Sequence, residues 1–185
     1  MNCFNIKTMH NIHHTKILFD ACCLIYIFYP LGKSKQTEID YSNLYYLHIY
    51  NNTKFIPCVH ILTISEFINR ILRIEFDIYC QNQKRLNPNF NPKDKFKIFR
   101  NSQNGQSSQK DIFTLTQQIL EDFTLVYTDP KLNLPSLLKV DSLDFTDKIL
   151  VEACKTQGFT LLTNDLDFKG SDIDILSLHP SFTTP

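Results

Sequence analysis

Residues 144–168 read DFTDKILVEACKTQGFTLLTNDLDF, and their pattern decides the fold class. Ile149, Leu150, Ala153 and Cys154 share one face of a helix from about Phe145 to Gln157, and Gly158 supplies its stop. Phe159 to Thr163 is then an apolar run of strand length. A helix leading straight into a buried strand is half of a βαβ unit. Working outward, Ile17-Leu18-Phe19 is a second short apolar run, closed by Asp20, and reads as a buried first strand. Cys22 to Tyr29 reads as a helix stopped by Pro30, Tyr41 to Asn51 as a second helix, and Lys54 to Val59 as a strand. From residue 63 to about 80, Ile64, Phe67, Ile68, Ile71, Leu72 and Ile78 predict an amphipathic helix. Asp111 to Phe123 reads as a helix, Thr124 to Thr128 as a strand, Asp129 to Pro135 as a loop and Ile173 to Leu176 as the last strand. Strands alternating with helices predict an α/β fold, a three-layer arrangement whose central parallel sheet carries helices on both faces.

The 185 residues suit one domain, residues 1–185, with a single proper core. Apolar residues make up 43% and charged residues 21%, with 19 basic against 19 acidic side chains. That balance excludes a disordered polyelectrolyte and a wholly basic nucleic-acid coat. The charge is uneven: residues 81–110 hold 7 basic and 1 acidic side chain, and residues 111–185 hold 5 and 12. The basic stretch, rich in Asn, Gln, Lys, Ser and Pro, reads as a polar excursion from the core. Beside an acidic site it would draw phosphates toward carboxylates that otherwise repel them, whereas on charge alone a solvated, idle loop is the favoured reading. Its Phe90, Phe96 and Phe99 read as anchors to the core, with stacking on unpaired bases the alternative. The six cysteines contain no C-x-x-C pair and read as free thiols in a reducing compartment. His10, His13 and His14 precede the first periodic segment without a Cys or carboxylate spaced to complete a zinc site, and read as a frayed N-terminus. The apolar run from Ala21 to Leu31 is too short to span a membrane, so a cytoplasmic protein is expected.

In a parallel α/β unit the C-terminal end of a strand and the first turn of the next helix share one edge of the sheet, where ligands bind. Asp20, Glu66, Asp147 and Asp165 are all placed there by the predicted elements. Carboxylates gathered without His or Cys point to a hard divalent cation, magnesium or manganese, over zinc. Each acid also has an ordinary explanation. Thr63-Ile64-Ser65-Glu66 is a capping box, Asp144 is an N-cap with Asp147 a favourable charge in the same first turn, and Asp20, Asp165 and Asp167 can serve turns. Convergence on one edge is what favours a site, and Asp20, beside a buried strand, is the acid least easily explained otherwise.

With Ile17-Leu18-Phe19-Asp20 followed by Leu24-Ile25, Thr63-Ile64-Ser65-Glu66-Phe67, and the stretch from Asp147 through Gly158 to Thr163-Asn164-Asp165-Leu166-Asp167-Phe168, the chain resembles a PIN domain over roughly residues 16–176. That nuclease fold occurs in bacterial VapC-type toxins and in RNA-processing proteins. The resemblance implies a metal-dependent endoribonuclease in which Asp20, Glu66, Asp147 and Asp165 are the catalytic acids and hold one or two Mg2+ or Mn2+ ions. Asp167 is the reserve for the fourth position, and Thr163 and Asp144 support the acids. Lys84, Arg85, Lys93, Lys95, Lys97 and Arg100 would help hold the RNA backbone. If the chain is a toxin, the resemblance implies an antitoxin protein as partner and a homodimer. The chain departs from the family in placing Ala21 and Cys22 where polar residues usually follow the first acid, and in the length between Glu66 and Asp147. Two other readings stand beside this one. One is a PIN-like binding or assembly module without catalysis. The other is a phosphohydrolase using Asp20 as nucleophile, in which Cys22 stands where a second Asp commonly follows.

Overall fold

In the computed structural model, which describes residues 2–31, 36–93, 95–129, 132 and 134–183, six strands form one all-parallel sheet. They are β1 (Cys3–Phe4), β2 (Lys16–Phe19), β3 (Ile56–His60), β4 (Thr124–Val126), β5 (Phe159–Leu162) and β6 (Ile175–Leu176), in the order β1-β6-β5-β2-β3-β4. β2 is central, pairing β3 (Phe19 with Val59) and β5 (Phe19 with Leu162). A strand paired on both edges and covered on both faces must be apolar throughout, and Ile17, Leu18 and Phe19 are fully buried.

Side chains alternate across this sheet and build a core on each face. Ile17, Phe19, Val59, Leu162 and Leu176 meet α1 (Ala21–Phe28), α2 (Gln36–Asn43), a π-helical segment Leu44–Tyr50, α3 (Ile61–Leu86) and α5 (Gln103–Asp122). On the other face Leu18, Cys58, Leu161 and Ile175 meet Leu150, Val151, Ala153 and Cys154 of α7 (Phe145–Gln157). The result is an α/β protein with a parallel central sheet and helices on both of its faces. Phe19 packs edge-on against Phe123 at 4.8 Å between centroids and against Tyr45 at 5.8 Å, and truncating it to Ala would cost about 3–5 kcal/mol.

α7 begins and ends where the sequence places it. Asp144 Oδ1 accepts the Asp147 N–H at 2.9 Å, and Gly158 closes the helix at φ 70°, a conformation that strains any residue with a Cβ. Five expectations need correction. The helix placed at Tyr41 to Asn51 begins at Gln36 and turns π-helical at Leu44, where a run of large apolar residues (Leu44, Tyr45, Ile49) is fully buried. α3 is capped not by the Thr63–Glu66 box but by His60, whose Nδ1 accepts the Leu62 N–H at 3.2 Å, so the helix starts earlier and Glu66 lies in its second turn. The polar excursion is largely helical: α3 runs on to Leu86, α4 (Phe96–Asn101) follows a short loop, and α5 starts at Gln103, eight residues before its apolar pattern suggests. Its phenylalanines are anchors, with Phe99 buried against Phe76 and Tyr79, Phe96 against Phe76 and Phe90 against Tyr79. The N-terminus is not frayed, because Cys3–Phe4 adds a strand beside β6 and Met9 and Ile12 are buried. Part of the loop expected at Asp129 to Pro135 lies outside the described residues, and Leu134–Leu137 forms one helical turn, α6. Among the described residues no helix is long and apolar enough to cross a membrane.

Candidate functional site

From β2 the chain winds outward to β3 and β4, then returns through α7 to β5 on the opposite side of β2. The C-terminal ends of β2 and β5 therefore flank the point where winding reverses, the usual ligand crevice of an open α/β sheet. Asp20 follows β2 and Thr163 follows β5. The sheet ladder holds both in place: the Asp20 N–H donates to the Leu162 carbonyl at 3.0 Å and the Thr163 N–H to the Leu176 carbonyl at 3.2 Å.

Asp20 is buried, and both its oxygens are bonded. Oδ1 accepts the Ala21 N–H at 2.6 Å, making Asp20 the N-cap of α1. Oδ2 accepts the Thr163 hydroxyl at 2.8 Å and the Cys22 thiol at 3.1 Å. Burial raises the Asp20 pKa above the usual carboxylate range, these three donors pull it down, and the Asp165 charge adds to the rise. Cys22 thus supplies Asp20 with a polar contact through its thiol. Thr163 Oγ1 also accepts the Asp165 N–H at 2.9 Å, so one hydroxyl bonds to two of the acidic residues.

Three further acids act electrostatically on the same region. Glu66, half-buried on α3, is raised by burial and by the Asp20, Asp144 and Asp165 charges, while Arg70 one turn on, at 3.4 Å, lowers it. Asp147, in the first turn of α7, is pushed up to about 7 by burial and by the charges of Asp144, Asp20 and Asp165. Four carboxylates brought from β2, α3, α7 and the turn after β5 are thus electrostatically coupled, with Asp144 a fifth contributor. Asp165, although exposed, acts on all of the other three. Asp167 differs: it is exposed, donates its backbone N–H to Asp165 Oδ1 at 3.0 Å, and is not among the charges that raise the others. Among the described residues no group of three His, Cys, Asp or Glu side chains stands close enough together to enclose an ion as it is.

Two clefts lie beside these acids, Glu66 lining the larger and Asp165 the smaller, while Asp20 and Asp147 line neither. The larger, about 760 Å³, is lined by Glu66, Asp144, Asn69, Arg70 and Arg73 with an apolar wall of Ile25, Tyr26, Leu62 and Ile74. A smaller one, about 370 Å³, holds Asn164, Asp165 and His179, and the two share Cys22, Tyr26 and Arg70. None of the six basic residues named from the sequence lines either cleft. Lys84 and Arg85 lie in the last turn of α3, about 27 Å along the helix from Glu66 at 1.5 Å per residue. Lys93, Lys95, Lys97 and Arg100 belong to α4 and the loop before it, which pack against the middle of α3. Sequence reading followed the apolar face of α3 and passed over Arg70 and Arg73, although Glu66, Arg70 and Arg73 at i, i+4 and i+7 mark one face of that helix. His60 and Tyr41 were also missed. Tyr41 donates its hydroxyl to the Thr163 carbonyl at 3.0 Å and accepts the Leu178 N–H at 3.1 Å, tying α2 to the sheet edge.

The fold and site define a doubly wound α/β protein with an acidic crevice at the C-terminal edge of its sheet. No protein-family model matches the chain, and no curated protein matches it. Among solved structures it is similar to the crystal structure of PAE2754 from Pyrobaculum aerophilum, with 16% identity, 91% of this chain and 88% of that chain covered, and a TM-score of 0.46.

Proposed function

We propose that the protein is a PIN-type nuclease that hydrolyses RNA phosphodiester bonds with Mg2+ or Mn2+ in the cytoplasm. The observation that carries this reading is the gathering of Asp20, Glu66, Asp147 and Asp165 from four different elements, where burial and neighbouring carboxylate charges raise the pKa values of Asp20, Glu66 and Asp147. Like charges assembled in this way are relieved by a bound cation, and a donor set made wholly of carboxylates suits a hard one. The fit lies in this donor chemistry and not in a closed cage, since Glu66 is paired with Arg70. Asp20, Glu66, Asp147 and Asp165 would hold the ion, with Asp167 in reserve. Once bound, the ion supplies a water acidic enough to attack a phosphodiester near neutral pH.

The remaining work falls to the chain itself. Thr163 and Cys22 fix the orientation of the Asp20 carboxylate, Asp144 fixes the first turn that carries Asp147, and Thr163 steadies the turn that carries Asp165. A toxin acting with an antitoxin protein, and as a homodimer, is one setting in which such a nuclease works.

A second reading, a PIN-like binding module without catalysis, draws support from the Glu66–Arg70 pair, which neutralises one of the four acids without any ion. Cleavage of end-labelled total RNA with Mn2+, Mg2+ or chelator, beside Asp147→Asn prepared identically, separates the two. Metal-dependent cleavage that disappears in the variant supports the nuclease. Absence of cleavage by wild type, with no divalent ion bound in calorimetry, supports the binding module.

A further inference from the structure

Arg73 is a cation of the larger cleft that pairs with no carboxylate among the described residues, whereas Arg70 is engaged by Glu66. Its guanidinium instead lies over the Phe96 ring, 4.4 Å from the centroid. A guanidinium resting on a ring face is oriented by it, and its N–H groups, which radiate in the guanidinium plane, stay available to a partner at the side. Phe96 is itself held edge-on by Phe76 at 5.4 Å, and α4 is anchored by buried Phe99. The helical insertion thus reaches the cleft through Phe96, the platform under Arg73.

The rest of the lining suggests what Arg73 awaits. Asp144 repels an anion and Glu66 already engages Arg70, so an anion entering the cleft is favoured at Arg73. Ile25, Tyr26 and Ile74 offer a largely apolar wall, and about 760 Å³ is within the range of small-molecule sites.

We infer that this cleft is a nucleotide subsite: the phosphate of a nucleotide flanking the cleaved bond is held by Arg73, its base lies on the Ile25–Tyr26–Ile74 wall, and Phe96 is a positioning residue acting through Arg73. The flanking role rests on the nuclease reading, whereas nucleotide binding can be measured without it. The full-length protein is titrated by calorimetry in chelator with uridine and adenosine 5′-monophosphates, and separately with the two nucleosides and with inorganic phosphate. The monophosphates are expected to bind more tightly than either fragment. Arg73→Gln weakens them about tenfold, as loss of a charge-assisted contact does, and Phe96→Leu weakens them severalfold while keeping an apolar side chain on Phe76. On RNA, both variants raise KM more than they lower kcat. The inference is overturned if wild type binds no nucleotide, if Arg73→Gln binds as wild type does, or if phosphate alone binds as tightly as the nucleotide. Nucleotide binding without RNA cleavage keeps the subsite and removes the nuclease reading. Metal-dependent cleavage without nucleotide binding does the reverse.

Discussion

The Thr163 hydroxyl donates to Asp20 Oδ2 at 2.8 Å, joining the C-terminal ends of two adjacent strands through a pair of buried side chains. Thr163→Val keeps the shape and removes the donor. A buried carboxylate deprived of a partner costs about 1.5–3 kcal/mol, and the Asp20 pKa climbs further from its already raised position. Urea unfolding at pH 7 should show that loss, with Thr163→Ser recovering most of it. Equal stability of the Val and Ser variants would mean that the hydroxyl contributes nothing to Asp20.

Asp147 sets a pH dependence whose sign follows from its folded-state value. At about 7 it lies above the ordinary 3.8, so between these values the native state binds a proton that the unfolded chain has released. Without divalent ions, this group makes stability fall as pH rises from about 4 to 7. Asp147→Asn removes that slope and raises stability at pH 8 by about 1 kcal/mol, discounted for a half-exposed group screened by solvent. Thermal melts from pH 4 to 8 check this. Under the nuclease reading Mn2+ raises the melting temperature of wild type at pH 8 and much less that of Asp147→Asn, since an ion that binds only the folded state stabilises it by mass action.

His60 should make the opposite contribution at the acid end. It is fully buried; its Nδ1 accepts the Leu62 N–H, so its Nε2 carries the proton and donates to Thr128 Oγ1 at 3.2 Å. Burial lowers its pKa below 6.5, so the unfolded chain takes up a proton first as pH falls, and stability drops below about pH 6.5. His60→Ala loses the cap of the helix bearing Glu66, at about 1–2 kcal/mol, together with packing. His60→Asn restores an N-cap oxygen and should recover part of the loss. An acid limb of the stability profile identical in wild type and His60→Asn would remove His60 as its source.

What could be read from the sequence divides along physical lines. β2, β5 and α7 were visible because local patterns dictate them: short apolar runs paired on both sides, and a helix bracketed by Asp144 and Gly158. The acids could be placed at one edge because parallel topology takes every strand end there. The cap of α3 was misread, since Thr63-Ile64-Ser65-Glu66 satisfies the local rule for a helix start while the β3–α3 junction leaves no separate loop: His60 both ends the strand and caps the helix. The helices of residues 81–110 were hidden by composition, because their apolar contacts are few and aromatic (Phe90, Phe96, Phe99) and their partners Phe76 and Tyr79 lie on another element. β1 was hidden by length, for two residues carry no period. Arg70 and Arg73 became notable only through the Phe96 ring and the cleft wall, neither of which sequence spacing reveals.

Gly105 gives the last test, because it decides how closely α4 and α5 can join. Ser102 caps α5, its hydroxyl accepting the Gly105 N–H at 3.2 Å and donating to the Phe99 carbonyl at 2.6 Å. The tight corner brings the end of α4 onto the first turn of α5, so a Cβ at residue 105 would overlap the Phe99 carbonyl oxygen and lie 2.9 Å from Arg100 Cα. Both obstacles are backbone, so the helices must part before an alanine fits. Gly105→Ala would gain helix propensity of about 1 kcal/mol at an unstrained exposed site, and here it should instead destabilise. The loss should stay local to the insertion, because the sheet and its acids lie on other elements. Hydrogen exchange should therefore speed up over residues 96–106, with β2 and β5 protected as in wild type. Phe96 would then be released from beneath Arg73, so nucleotide binding should weaken in parallel, while under the nuclease reading Mn2+ binding at the acids is unchanged. Unchanged exchange over residues 96–106 would show that the corner accommodates the methyl group, and loss of protection in β2 as well would show that the insertion and the sheet unfold as one unit.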